Sequence, residues 1–174
     1  ALFATETTVA QGLHKAMLIE KGIPAGQIVL QACPDLAGAI ERGPESATTT
    51  TMIQKYVGEL ARQLPDGPAP LLVSYNCTHY GYADKVFRQA FRERNIRTEA
   101  FLNPNPHMAD VLLPAERRNR FAQSEVSIRV VSQPEIIPQK LQSIHHLIQM
   151  QSPDTANALK EHTFVPDFFE WNFK

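Results

Sequence analysis

Leu71-Leu72-Val73-Ser74-Tyr75-Asn76-Cys77-Thr78-His79-Tyr80-Gly81-Tyr82-Ala83-Asp84-Lys85-Val86-Phe87-Arg88-Gln89-Ala90-Phe91 passes from a short apolar run to apolar residues spaced for a helix. Residues 71–75 are too few for a buried helix and read as a strand. Ala83, Val86, Phe87, Ala90 and Phe91 recur at threes and fours and line one helical face. A polar turn lies between them. The same alternation extends in both directions. Strand-like runs occupy residues 2–5, 28–33, 98–102 and 126–132. Val9, Leu13, Ala16 and Met17 keep helical spacing, with Gly22 placed as a C-cap. Pro34 reads as the first position of a short helix carrying Leu36, Ile40 and Glu41. From Thr49, within the run Thr48-Thr49-Thr50-Thr51 that offers several caps, Ile53, Tyr56, Val57, Leu60, Ala61 and Leu64 build another apolar face, ended by Pro65-Asp66-Gly67-Pro68. This alternation predicts an α/β fold with a parallel sheet flanked by helices.

Asn103-Pro104-Asn105-Pro106 interrupts the pattern, because each proline pushes its predecessor out of the helical region. Beyond it come a helix through Met108, Val111 and Leu112, the run 126–132, and a helix with Ile137, Leu141, Ile144 and Ile148. Residues 1–102 are therefore expected to form one lobe, and 103–174 a crossover toward a second lobe plus an aromatic tail. That tail holds Phe164, Phe168, Phe169, Trp171 and Phe173, whose large apolar area is expected to dock. Ala1-Leu2-Phe3-Ala4 reads as a strand already under way, so the chain is expected to be a piece of a longer protein.

The 174 residues are 43% apolar, with 17 Lys+Arg against 18 Asp+Glu and a pI near 6.7. Without a basic stripe there is no counterion-release affinity for nucleic acid, and that class is set aside. No apolar run reaches the roughly 18–20 residues that span a bilayer, and no signal-type segment opens the chain, so a cytoplasmic location is expected. Cys33 and Cys77 are too few for a disulfide framework and read as free thiols. His145 and His146 are adjacent, so they point to different helix faces, and no metal is expected.

Ligands of open parallel sheets bind beyond the carboxyl ends of the strands. Ala4-Thr5-Glu6-Thr7-Thr8, Cys33-Pro34 and Asn76-Cys77-Thr78-His79-Tyr80 collect there. Cys77 stands between a buried strand and a helix start, where unpaired backbone N–H groups favour a thiolate. His79 is a proton partner within reach, and Thr78 offers a hydroxyl and an N–H to an anionic group.

Cys77-Thr78-His79-Tyr80 after an apolar strand, preceded by Ala4-Thr5-Glu6-Thr7-Thr8-Val9 and by Ala32-Cys33-Pro34 with Ile40-Glu41-Arg42-Gly43, resembles the C-terminal half of a glutamate racemase. The resemblance covers residues 1 to about 80 and fades past 100. It implies two α/β lobes with the site between them, no cofactor, and a small acidic amino acid as substrate. One thiol from each lobe would exchange the α-proton on opposite faces. Matched by position, Cys77 is the second-lobe thiol, His79 and Glu41 assist its proton transfers, and Thr5, Thr8 and Thr78 contact substrate. The role implied is D-glutamate supply for peptidoglycan, and the partners are the N-terminal half of the same protein and, in this family, often a second copy.

Departures accompany the match. Neither the family's Cys-Asn-Thr nor its Asp-Ser-Gly motif occurs here, so the chain alone is expected not to racemise. Gly81 stands where the family usually has proline and Asn76 where it commonly has glycine, changes expected to loosen or reshape the turn. Cys33, before proline, reads as structural. Thr5 and Thr8 can cap a helix, and Glu41 can be an ordinary helix residue. Two other functions stay open: a racemase of another acidic amino acid, and a non-catalytic module binding a small acid or a protein.

Overall fold

The computed structural model describes residues 1–64, 70–118, 120–123 and 125–169. The chain separates into two units, Ala1–Arg118 and Asn119–Lys174.

The first unit is an α/β layer structure on a four-stranded parallel sheet. Strands β1 (Leu2–Ala4), β2 (Leu30–Ala32), β3 (Leu71–Tyr75) and β4 (Thr98–Leu102) take the spatial order β2-β1-β3-β4. Parallel neighbours need crossovers, and helices provide them. α1 (Glu6–Gln11) and α2 (Leu13–Glu20) lead from β1 to β2, α3 (Leu36–Arg42) and α4 (Ala47–Ala61) from β2 to β3, and α5 (Asp84–Glu93) from β3 to β4. Phe3 pairs with Tyr75, which brings the exits of the two central strands side by side.

One face of this sheet carries the core. Phe3, Val73 and Tyr75 pack with Ile53, Val57 and Leu60 of α4 and with Phe87 and Phe91 of α5, all fully or nearly fully buried. Phe3 meets Phe87 edge-on at 5.2 Å between ring centroids and Phe91 at 6.0 Å, a favourable arrangement for aromatic quadrupoles. On the other face Leu2 and Ala4 are buried, but Leu72 and Leu102 stay about half exposed, and Leu13 and Met17 on α2 more so.

Local chemistry moved several expected boundaries. The helix expected across Val9 to Met17 is two helices, because Gly12 adopts φ 66 and ends α1 before α2 begins. Gly22, at φ 91, follows the end of α2, and Ile23 N–H closes back on Leu18 O at 3.0 Å. Pro34 is not inside α3. It belongs to a turn in which Asp35, at φ 58, is the residue before the helix. The carbonyl of Pro34 is held by the Tyr56 hydroxyl at 2.7 Å. The cap of α4 lies outside the threonine run: Ser46 accepts from Thr49 N–H at 3.2 Å, while the Thr49 hydroxyl turns inward to Gly43 O at 2.7 Å. The break at Pro65-Asp66-Gly67-Pro68 lies outside the described residues. α6 (Asn105–Leu112) follows β4 within the first unit, starting inside the Asn-Pro-Asn-Pro segment.

In the second unit β5 (Val131–Ser132) pairs in parallel with β6 (Thr163–Phe164), and α7 (Pro138–Gln149) packs against α8 (Pro153–Lys160) with Ala156 and Leu159 buried. The strand expected over 126–132 is thus reduced to its last two residues. A strand is stabilised only along the length of its partner, and the partner here is two residues long. Phe164, Phe168 and Phe169 remain about half exposed, with the last two edge-on at 4.7 Å. Trp171 and Phe173 lie outside the described residues.

Candidate active site

The exit of β3 turns sharply after Asn76. Tyr80 N–H returns to Cys77 O at 3.1 Å, and a short 3-10 turn, Tyr80–Ala83, leads into α5. Tyr80 is fully buried and anchors this turn, whereas Cys77 and His79 are half-buried at its surface. α3 runs alongside and presents Glu41 from its last turn.

Three side chains form a continuous path. Cys77 Sγ lies 3.6 Å from His79 Nδ1, and His79 Nε2 lies 2.9 Å from Glu41 Oε1. Glu41 accepts the Nε2 proton, which leaves Nδ1 to exchange a proton with the thiol. Burial by itself would push the Cys77 thiol up. The hydrogen bonds from the His79 side chain and from the backbone N–H groups of His79 and Tyr80 outweigh it and bring the thiol below its ordinary value. His79 is held above the usual imidazole range, first by its hydrogen bond to Cys77, against burial, and then by Glu41. Both directions favour a thiolate–imidazolium pair at rest.

The threonines divide. Thr5 and Thr8, half-buried at the exit of β1, join hydroxyls at 3.0 Å, and Thr5 Oγ1 also accepts Thr8 N–H at 3.3 Å as the cap of α1. That exit adjoins the cysteine turn, since Asn76 N–H donates to Phe3 O at 2.8 Å. Thr78 is exposed between Cys77 and His79. Cys33, at the exit of β2, is only 2% exposed, its Sγ 3.7 Å from Gln31 O and its thiol pushed far up by burial. Gly81 does not leave the turn loose. A Cβ there would stand 2.5 Å from Asn103 Nδ2, so glycine leaves the room that the Asn103 side chain now occupies. Among the described residues no group of three or more His, Cys, Asp or Glu is gathered to hold a metal ion, and no helix is long and apolar enough to cross a membrane.

Curated relatives share this sequence in part. The chain is 33% identical over 97 residues to a glutamate racemase of Roseobacter denitrificans, covering 56% of this chain and 34% of the relative. It is 32% identical over 118 residues to a glutamate racemase of Ruegeria pomeroyi, covering 62% of this chain and 42% of the relative. Over more than half its length the chain is similar to glutamate racemases. It spans well under half the length of these relatives. No family model and no solved structure matches it.

Beside this glutamate racemase-like stretch stands a residue that sequence reasoning passed over. Asn105 donates from Nδ2 to Thr78 O at 2.7 Å, and its N–H is held by Asn103 Oδ1 at 3.1 Å. The Asn-Pro-Asn-Pro segment had read only as a break. Local pattern gave no signal for it, because Thr78 lies 27 residues away.

Proposed function

We propose that this chain supplies one proton-transferring half of a glutamate racemase-type site, acting without a cofactor on glutamate. What supports this reading is the unbroken path Cys77–His79–Glu41 at the exit of a parallel strand, together with the partial similarity to glutamate racemases.

The α-proton of an amino acid is very weakly acidic. A base that removes it must be desolvated and aligned, and charge that develops beside the carboxylate must be held. Cys77 Sγ takes or returns that proton. His79, as the imidazolium, stabilises the thiolate while it waits, and Glu41 holds the ring in place through Nε2. Hydroxyls of Thr5, Thr8 and Thr78 and the backbone N–H groups around them receive the substrate carboxylate. Inversion needs a second base on the opposite face of the α-carbon. Cys33 is unsuited because it is buried with its thiol pushed up. The second base belongs to the other lobe of a longer protein, of which residues 1–102 form the second lobe and 103–174 the return toward the first. The reaction is an isomerisation that provides D-glutamate for peptidoglycan in the cytoplasm.

The test is deuterium wash-in at the α-carbon of glutamate in heavy water. In the full-length parent enzyme, Cys77→Ser is expected to lower exchange and racemisation by about 10²–10⁴-fold, the usual worth of a positioned acid or base. Unchanged racemisation in that variant would remove Cys77 from the reaction. The 174-residue chain by itself is expected not to interconvert the enantiomers on a chiral column.

A further inference from the structure

The path from thiol to imidazole spans 3.6 Å, and a contact between two short side chains is lost by small shifts of the backbone that carries them. Two sets of polar contacts converge on that backbone without touching either side chain. The first closes the base of the turn. Tyr75, fully buried as the last residue of β3, donates its hydroxyl to Asp84 Oδ1 at 2.9 Å, joining residues nine apart that bracket Cys77 and His79. Asp84 is fixed from its other side by Arg88 Nε at 2.6 Å, and the Arg88 guanidinium lies 4.4 Å from the centre of the Phe101 ring. The second set holds the flank. Asn105 Nδ2 bonds the carbonyl of Thr78, the residue between the thiol and the imidazole, while Asn103 fills the space left by Gly81. Among the described residues Asn105 Oδ1 is buried with no hydrogen-bond partner. A buried acceptor left unpaired costs free energy, which marks the donor bond to Thr78 as the contact this amide is placed for.

We infer that Tyr75–Asp84 and Asn105–Thr78 are two clamps that position the Cys77 thiol against the His79 imidazole. Tyr75, Asp84 and Asn105 are positioning residues, acting through the turn and not on a substrate. The inference rests on Cys77 being the reactive group of the proposed site, whatever substrate meets it. Packing alone does not explain Tyr75: its ring contacts with Phe87 at 5.0 Å and Phe101 at 6.1 Å would be kept by phenylalanine, yet a polar hydroxyl is carried into the core to reach Asp84.

The experiment is the pH profile of Cys77 alkylation by iodoacetamide in the full chain, read by peptide mass spectrometry, with thermal unfolding recorded for each variant. It needs no substrate, so failure of the racemase reading leaves it intact. Tyr75→Phe and Asn105→Ala are each expected to move the midpoint toward that of a free thiol and to slow alkylation at neutral pH by about three- to tenfold, one pH unit being tenfold. His79→Ala should move it further. Midpoints equal to wild type in folded Tyr75→Phe and Asn105→Ala, with His79→Ala shifted, would overturn the clamps. A His79→Ala midpoint equal to wild type would overturn the thiol–imidazole pair and the clamps with it. If Tyr75→Phe does not fold, Asn105→Ala decides alone.

Discussion

Cys33 and Cys77 each follow a strand of the same parallel sheet, yet they sit in opposite chemical states. At the exit of β2 the chain turns inward. Cys33 N–H donates to Ala4 O at 2.9 Å, its carbonyl accepts from Tyr80 at 3.5 Å, and Tyr56 closes over Pro34 O at 2.7 Å. The thiol is left among hydrocarbon, where burial opposes ionisation. At the exit of β3 the chain turns outward. Burial there still raises the thiol, and the hydrogen bonds from an imidazole and backbone N–H groups outweigh it. Position after a strand is therefore not enough to make a cysteine reactive. The direction of the turn and the donors it gathers decide.

The sharpest way to break this contrast is to titrate both sulfurs with iodoacetamide in the folded chain. Cys77 has its thiol below the ordinary value, so its thiolate persists to lower pH than a free cysteine's, and alkylation falls only as the pH drops through that lowered value. Cys33 moves the other way and is shielded. At neutral pH we expect Cys77 to react at least about a hundredfold faster, two pH units of separation being a hundredfold in thiolate. Comparable rates would mean that the two turns do not differ as described.

Replacing each sulfur by oxygen sharpens the same comparison in stability. Cys33→Ser buries a hydroxyl where the sulfur stood 3.7 Å from Gln31 O, and is expected to cost about 1–3 kcal/mol in urea unfolding. Cys77→Ser, half-exposed, should cost less than about 1 kcal/mol. The smallest effect is expected from Tyr56→Phe. The Tyr56 hydroxyl, pushed up to about 12 chiefly by burial, stays protonated and donating across the working range. Its removal leaves Pro34 O without this donor for about 1 kcal/mol and should make Cys33 measurably more accessible to alkylation. An unchanged Cys33 rate would show that Tyr56 does not close that turn.

Much of this architecture was legible before any coordinates. Strands β3 and β4 and the apolar faces of α4 and α5 follow from spacing, because a buried face must repeat with the period of its element. The misreadings share a cause. Gly12 split one helix, Ser46 outcompeted four threonines, and β5 kept two residues of the run 126–132 because its partner offered no more. In each case a single backbone contact overrode an averaged preference. The same division runs through the site. Cys77 and His79 lie two residues apart and were readable as a pair. Glu41 was named from resemblance, and its separation of 38 residues from His79 gave no geometric reason to join them. Asn105, 27 residues beyond Thr78, carried no motif at all.

The order of residues alone determined that this chain would build a parallel sheet and present a thiol with a neighbouring imidazole beyond one strand. Both follow from local periodicity and from side chains close enough in sequence to meet. Which cysteine would be driven toward the thiolate, and which carboxylate and amide would hold the turn around it, was decided only when the crossovers brought α3 and the segment after β4 against the exit of β3. Desolvation and hydrogen bonding act through space over a few ångströms, and distance along the chain does not measure them.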